Sequence, residues 1–102
     1  MTLERTIEAK AVRELLKIGC TAIKVGQEGW PDRLVTLGKG YPRAVIWIEF
    51  KALDGKLRPA QKIRHKQLAA DGQTVVVCRS SQEALGAVAK ARRSIDRTKP
   101  SD

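Results

Sequence analysis

Gly29-Trp30-Pro31-Asp32-Arg33-Leu34-Val35-Thr36-Leu37 and, after a short break, Val45-Ile46-Trp47-Ile48-Glu49-Phe50-Lys51 are the two runs that decide how this chain folds. Each is rich in β-branched and apolar residues, and Gly38-Lys39-Gly40-Tyr41-Pro42 between them carries enough Gly and Pro to reverse the chain. An antiparallel hairpin of residues 33–37 and 44–50 follows, and it carries Asp32 to the side of Glu49. Successive strand side chains alternate faces, so Glu49 and Lys51 share one face and Phe50 points the other way, toward a core. Residues 44–50 form an apolar run broken by Glu49 alone. A charge at the end of a buried strand costs free energy unless it has a partner or a metal.

Working outward, residues 3–18 read as a helix with Thr2 as N-cap, Ile7, Ala11 or Val12, Leu15 and Ile18 at core-facing spacing, and Gly19 as its end. Residues 21–25 read as a short strand and 26–31 as the loop that delivers Asp32. Asp54-Gly55 marks a loop, Pro59 opens a helix to about Ala70, and Gly72 closes it. Residues 74–78 form a β-branched strand, and Ser80 or Ser81 caps a last helix reaching about Arg93. The order is α-β-β-β-α-β-α, an α/β fold with a mixed sheet flanked by helices. Residues 1–93 form one domain, and the polar, aperiodic 94–102 is expected to be a disordered tail.

Asp32, Glu49 and Lys51 together have a chemical reading. A hard cation such as Mg²⁺ commonly takes one or two carboxylates and fills its shell with water and substrate phosphate. It acidifies a bound water and offsets charge building on the phosphate, while an ammonium orients that water or adds positive charge. The set suggests metal-assisted phosphodiester cleavage. An isolated Glu-x-Lys is more often a solvated surface pair, so the weight falls on its place at the end of an apolar strand.

With these pieces in order, Glu4-Arg5-Thr6-Ile7-Glu8, Gly19, Lys24, Gly29-Trp30-Pro31-Asp32-Arg33, Ile48-Glu49-Phe50-Lys51, Gln61, Leu68 and Gly72, the chain resembles the stand-alone VRR-NUC (virus-type replication-repair nuclease) group of the PD-(D/E)XK nuclease superfamily. The resemblance covers nearly the whole chain and implies that superfamily's single-domain fold, with an active site at one edge. It implies Asp32 and Glu49 as metal-binding carboxylates, Lys51 as catalytic lysine and Gln61 as a helix residue reaching into the site. A carboxylate of the first helix completes the acidic set; Glu8 is preferred to Glu4, one turn away, on its distance to Gly19. It further implies Mg²⁺, with Mn²⁺ able to substitute, action on branched DNA such as a Holliday junction, and a homodimer whose two sites match a two-fold substrate. Trp30 departs from the family's usual small or β-branched residue. Beside a metal site it would stack on a base, or else serve as a core aromatic anchoring the turn.

Composition agrees with a polyanionic partner. Lys plus Arg number 20 against 11 Asp plus Glu, a net charge of +9 with a pI near 10.1. Lys51, Lys56, Arg58, Lys62, Arg64, His65 and Lys66 are opposed only by Asp54 over residues 51–66. Lys56, Arg58, Lys62, Arg64 and Lys66 form a phosphate-binding surface if they face the site, or an ordinary solvated helix face if they do not. Lys90, Arg92, Arg93, Arg97 and Lys99 make a second basic group. His65 reads as a solvated or phosphate-contacting imidazole rather than a catalytic base. Cys20 and Cys78 are too few for a disulfide framework and read as reduced, small apolar residues. No apolar run approaches the roughly 20 residues of a membrane span, and no signal peptide is visible, so a cytoplasmic place in a bacterial or virus-infected cell is expected, away from membranes. A non-catalytic DNA-binding subunit is the main rival. An RNA-binding protein is weaker, since only Trp30, Tyr41, Trp47 and Phe50 are available to stack on bases.

Overall fold

The computed structural model describes residues 2–98. Its elements run α1 (Leu3–Lys17), β1 (Ala22–Lys24), β2 (Arg33–Thr36), β3 (Val45–Phe50), α2 (Pro59–Ala70), β4 (Val75–Cys78) and α3 (Ser81–Thr98). The four strands form one sheet in the order β1-β2-β3-β4, antiparallel except for the parallel pair β3–β4. A parallel neighbour needs a crossover, and α2 supplies it.

The expected hairpin is present. Arg33 pairs with Ile48 and Thr36 with Val45, so the register continued by one step sets Asp32 beside Glu49. Alternation along β3 then divides the molecule. Ile46, Ile48 and Phe50 are at most 1 % exposed and pack with Ala11 and Leu15 of α1 and Ala84 and Val88 of α3. Each large side chain buried there contributes about 1.5–3 kcal/mol. Trp47 and Glu49 face the opposite way, toward α2. That face is covered by one amphipathic helix whose Gln61, His65 and Leu68 lie along a single stripe at helical spacing.

Helix boundaries follow their capping chemistry. Thr2 accepts from the Arg5 amide at 3.2 Å, as its position predicts. At the end of α1, Gly19 has φ +85°, and the Gly19 and Cys20 amides donate to Leu16 and Leu15 carbonyls. Gly72 ends α2 in the same way, its own amide and that of Gln73 closing on Ala69 and Leu68. Of the two candidate serines, Ser80 caps α3: its Oγ accepts from the Glu83 amide at 3.1 Å, while the Glu83 carboxylate accepts from the Arg79 amide at 2.8 Å.

Three expectations need correction. Helix α3 runs to Thr98, five residues past Arg93, because Ile95 still packs on the core and the Asp96 carboxylate accepts the Tyr41 hydroxyl at 3.1 Å. The remainder of the expected tail, 99–102, lies outside the described residues. Ile18 does not face the core; it is the C-cap and is 38 % exposed. The carboxylate pair lies across the ends of β2 and β3, the two central strands, rather than at a sheet edge. Among the described residues no helix is long and apolar enough to cross a membrane. Cys20 and Cys78 are free and buried, and burial raises both thiols, Cys78 to about 11.

Gly38 offers a test of how the β2–β3 turn meets α1. It adopts φ +91°, and a Cβ there would lie 2.8 Å from the Gly19 carbonyl oxygen. Gly40 has a similar φ of +93° but open space around it. In urea unfolding, Gly40→Ala should cost about 1 kcal/mol for the left-handed backbone alone, and Gly38→Ala about 3 kcal/mol, because the clash is with backbone that cannot swing aside.

Candidate active site

Glu49 is the centre of the site. It is 2 % exposed, under α2 and at the end of a central strand. Burial raises its pKa first and the neighbouring Asp32 carboxylate next, to about 8, with Glu4 adding to the rise and Lys51 opposing it. Two carboxylates are thus held together in a low-dielectric place, with Lys51, itself only 7 % exposed, as the nearby cation.

Local structure explains each position. Asp32 is aimed by the sheet, since the Phe50 amide at the end of β3 donates to Asp32 Oδ2 at 2.7 Å. Lys51 is anchored by its own amide, which donates to the Cys78 carbonyl at 3.1 Å. Gln61, the third residue of α2, is oriented from both ends. Its Oε1 accepts from the Arg58 amide at 2.9 Å, filling an orphan donor at the helix start, so its amide nitrogen must turn to Glu49 Oε2, 3.4 Å away. The four residues Asp32, Glu49, Lys51 and Gln61 therefore meet, as the sequence predicts.

The helix carboxylates divide their work. Arg33 Nε donates to Glu8 Oε2 at 2.7 Å with both side chains 18 % exposed, and Arg33 also reaches the Ala22 carbonyl at 3.1 Å. The Glu8 carboxylate thus already has a strong partner. Glu4, not Glu8, is the helix carboxylate whose charge raises Glu49. Both line a cleft of about 380 Å³ between the start of α1 and the sheet, together with Arg5, Lys24, Asp32 and Phe50. A cavity of about 280 Å³ at the opposite end of the sheet has Arg43 as its one charged lining residue and no acid or base to do chemistry with.

His65 is the residue that sequence reasoning missed. Far from being solvated, its side chain is 14 % exposed, and its Nε2 lies 3.5 Å from Glu49 Oε1. The distance would count as an ion pair only if the imidazole were protonated. Burial and the Lys51 charge both lower the His65 pKa, so a neutral imidazole is the better description. The two atoms do not form a hydrogen bond, and both are buried with no hydrogen-bond partner. The signal in the sequence was the spacing Gln61 to His65, four residues along one helix face.

Trp30 and Arg64, both expected to contact DNA, also contact each other. The Arg64 guanidinium sits 4.3 Å over the Trp30 ring, and Trp47 lies against it at 5.5 Å and 42°. Trp47 is fixed in turn by its indole N–H, which donates to Gln73 Oε1 at 3.1 Å. Trp30 therefore joins α2 to the sheet, as the anchoring alternative expects, and remains partly exposed. Lys56, Arg58, Lys62 and Lys66 are exposed on the loop and helix beside the site. In the second basic group, Arg92 is a strut instead: it donates to the Leu37 carbonyl at 3.0 Å and the Ile18 carbonyl at 2.9 Å. Lys99 lies outside the described residues.

Whether the set fits a cation can be judged from its donors. Glu49 Oε1 is a buried carboxylate oxygen without a hydrogen-bond partner, and Asp32 crowds the same carboxyl group. Crowded, unsatisfied oxygens of this kind suit a hard divalent ion. Among the described residues no cluster of three or more His, Cys, Asp or Glu is arranged to hold a metal ion, so an ion here would rest on fewer protein ligands, with water and phosphate filling its shell.

No family model matches the chain, and no curated protein matches it. A solved structure described as a VRR_NUC domain does: the TM-score is 0.68 at 23 % identity, over 97 % of this chain and 100 % of that one. The chain has the α/β fold of that VRR_NUC domain structure.

Proposed function

We propose that the protein is a divalent-metal-dependent DNA endonuclease that hydrolyses phosphodiester bonds in branched DNA such as a four-way junction. The observation that carries the catalytic part is the meeting of Asp32, Glu49, Lys51 and Gln61 around one buried carboxyl group. Branched-DNA selectivity and a homodimer rest on the sequence resemblance, with two sites suiting a two-fold substrate.

Asp32 and Glu49 would hold the cation, with Glu4 and Glu8 lining a cleft that Asp32 also borders. Mg²⁺ or Mn²⁺, when bound, supplies Lewis-acid charge and an acidified water. The protein's own groups do the rest. Asp32 is held in one orientation by the Phe50 amide, and Gln61 steadies Glu49. The Lys51 ammonium, kept in a dry site, orients the attacking water or balances charge on the phosphate. Lys56, Arg58, Lys62 and Lys66 supply phosphate contacts that position the backbone without reading sequence.

Incubation with labelled junction, flap, duplex and single-stranded DNA in Mg²⁺, Mn²⁺ or EDTA tests the reading. Asp32→Ala, Glu49→Ala and Lys51→Ala should each lower the cleavage rate by about 10²-fold or more while binding persists. DNA bound but never cut by the wild type in any cation would favour a non-catalytic binding subunit.

Stability should depend on pH through Glu49. Its folded pKa of about 8 lies above its ordinary 4.5, so the folded protein holds a proton that the unfolded chain gives up. Metal-free protein should therefore lose stability as pH rises from about 4.5 through about 8, and Glu49→Gln should flatten that fall. Thermal denaturation with and without Mg²⁺ checks this. The wild type should gain most from Mg²⁺ at the alkaline end, where no proton competes, and the Gln variant little at any pH.

Binding should weaken steeply with salt. Replacing Arg58, Lys62 and Lys66 together with Gln should lower the slope of log K against log salt by about 2 to 3, since each phosphate contact contributes about 0.9. Arg64→Ala should also lower stability, because its guanidinium stacks on Trp30 while keeping its charge. An unchanged slope in the triple variant would turn this face away from DNA.

A further inference from the structure

Two buried polar atoms face each other in the site with nothing between them. Glu49 Oε1 and His65 Nε2 are 3.5 Å apart, each inaccessible to solvent, each without a hydrogen-bond partner. Buried polar atoms are paired in the great majority of cases, and the exceptions call for a ligand, a strain or a function. The rest of the Glu49 carboxyl group is taken up by Asp32 and Gln61. Gln61 occupies the side of Glu49 at Oε2, and its own oxygen is committed to the Arg58 amide. His65 sits one turn further along the same face of α2, under the same sheet.

The spacing has a simple chemical meaning. A first-row ion such as zinc binds imidazole nitrogen and carboxylate oxygen at about 2.0–2.2 Å, so two such donors on one ion, at right to tetrahedral angles, stand about 2.8–3.6 Å apart. The observed separation falls at the wide end of that span. Resting on the metal-dependent reading above, we infer that His65 Nε2 is a ligand of the site's cation beside Glu49 Oε1, which makes this a mixed nitrogen and oxygen site. Imidazole is a poorer ligand for Mg²⁺ than for first-row transition ions, among which Mn²⁺ binds it most weakly. The site therefore favours Mn²⁺ over Mg²⁺, a choice that Asp32 and Glu49 alone would not impose. Water and the substrate phosphate fill the remaining positions.

The chain contains one histidine, which gives a reading that needs no mutation. Protein grown with ¹⁵N-histidine and loaded with Mn²⁺, with and without duplex DNA, should show a ¹⁵N hyperfine coupling in pulsed electron paramagnetic resonance. Competition of bound Mn²⁺ by Mg²⁺ should show tighter Mn²⁺ binding by at least about tenfold, and His65→Ala or His65→Asn should remove most of that preference, a loss of about 10-fold or more in Mn²⁺ affinity. Mn²⁺ that binds in a Glu49-dependent way without nitrogen coupling would overturn the inference. So would a Mn²⁺ to Mg²⁺ ratio unchanged in a folded His65 variant. The nuclease reading fails separately: a ¹⁵N coupling in a protein that cuts no DNA keeps His65 as a ligand and removes the catalysis, whereas cleavage without coupling does the reverse.

Discussion

Burying the carboxyl group of Glu49 is the constraint around which this small domain is built. A carboxylate removed from water must be neutralised by a proton, a cation or donors, and the fold brings candidates for each from separate parts of the chain. Lys51 comes from the strand end, Asp32 from the neighbouring strand, and Gln61 and His65 from the crossover helix. Helix α2 is what closes the site to water. Its role is both topological, joining the parallel pair β3–β4, and chemical.

Several charged residues that look like a nucleic-acid surface in a list of lysines and arginines are structural. Arg33 ties β2 to Glu8 of α1, and Arg92 ties α3 to the carbonyls of Leu37 and Ile18. Arg79 donates to the Ala52, Leu53 and Gly55 carbonyls and so holds the loop that follows Lys51. Guanidinium suits this work, since its donors spread in a plane and satisfy several carbonyls at once. The positive surface beside the site is accordingly narrower than the net charge of +9 suggests.

The site shows how far local reasoning reaches. Alternation along β3 and the turn chemistry of 38–42 were enough to pair Asp32 with Glu49, because a hairpin is a local structure whose register its own side chains fix. The caps at Thr2, Pro59 and Gly72 were legible for the same reason. Glu4 and Glu8 were not separable, since one helical turn puts both over the same cleft and the deciding partner, Arg33, comes 25 residues after Glu8.

From the amino-acid sequence alone came the element order, the hairpin, the carboxylate pair with its lysine, and the family resemblance that the fold comparison meets. These depend on periodicity and on contacts between neighbours in the chain. The tertiary structure decided what depends on packing across the sheet. It buried His65 against Glu49, set Arg64 and Trp47 against the Trp30 ring, and carried α3 on to Thr98 through the contacts of Ile95 and Asp96. Sequence spacing gives the face of a helix on which a side chain lies. Only the packed sheet beneath decides whether that face meets water or a buried carboxyl group.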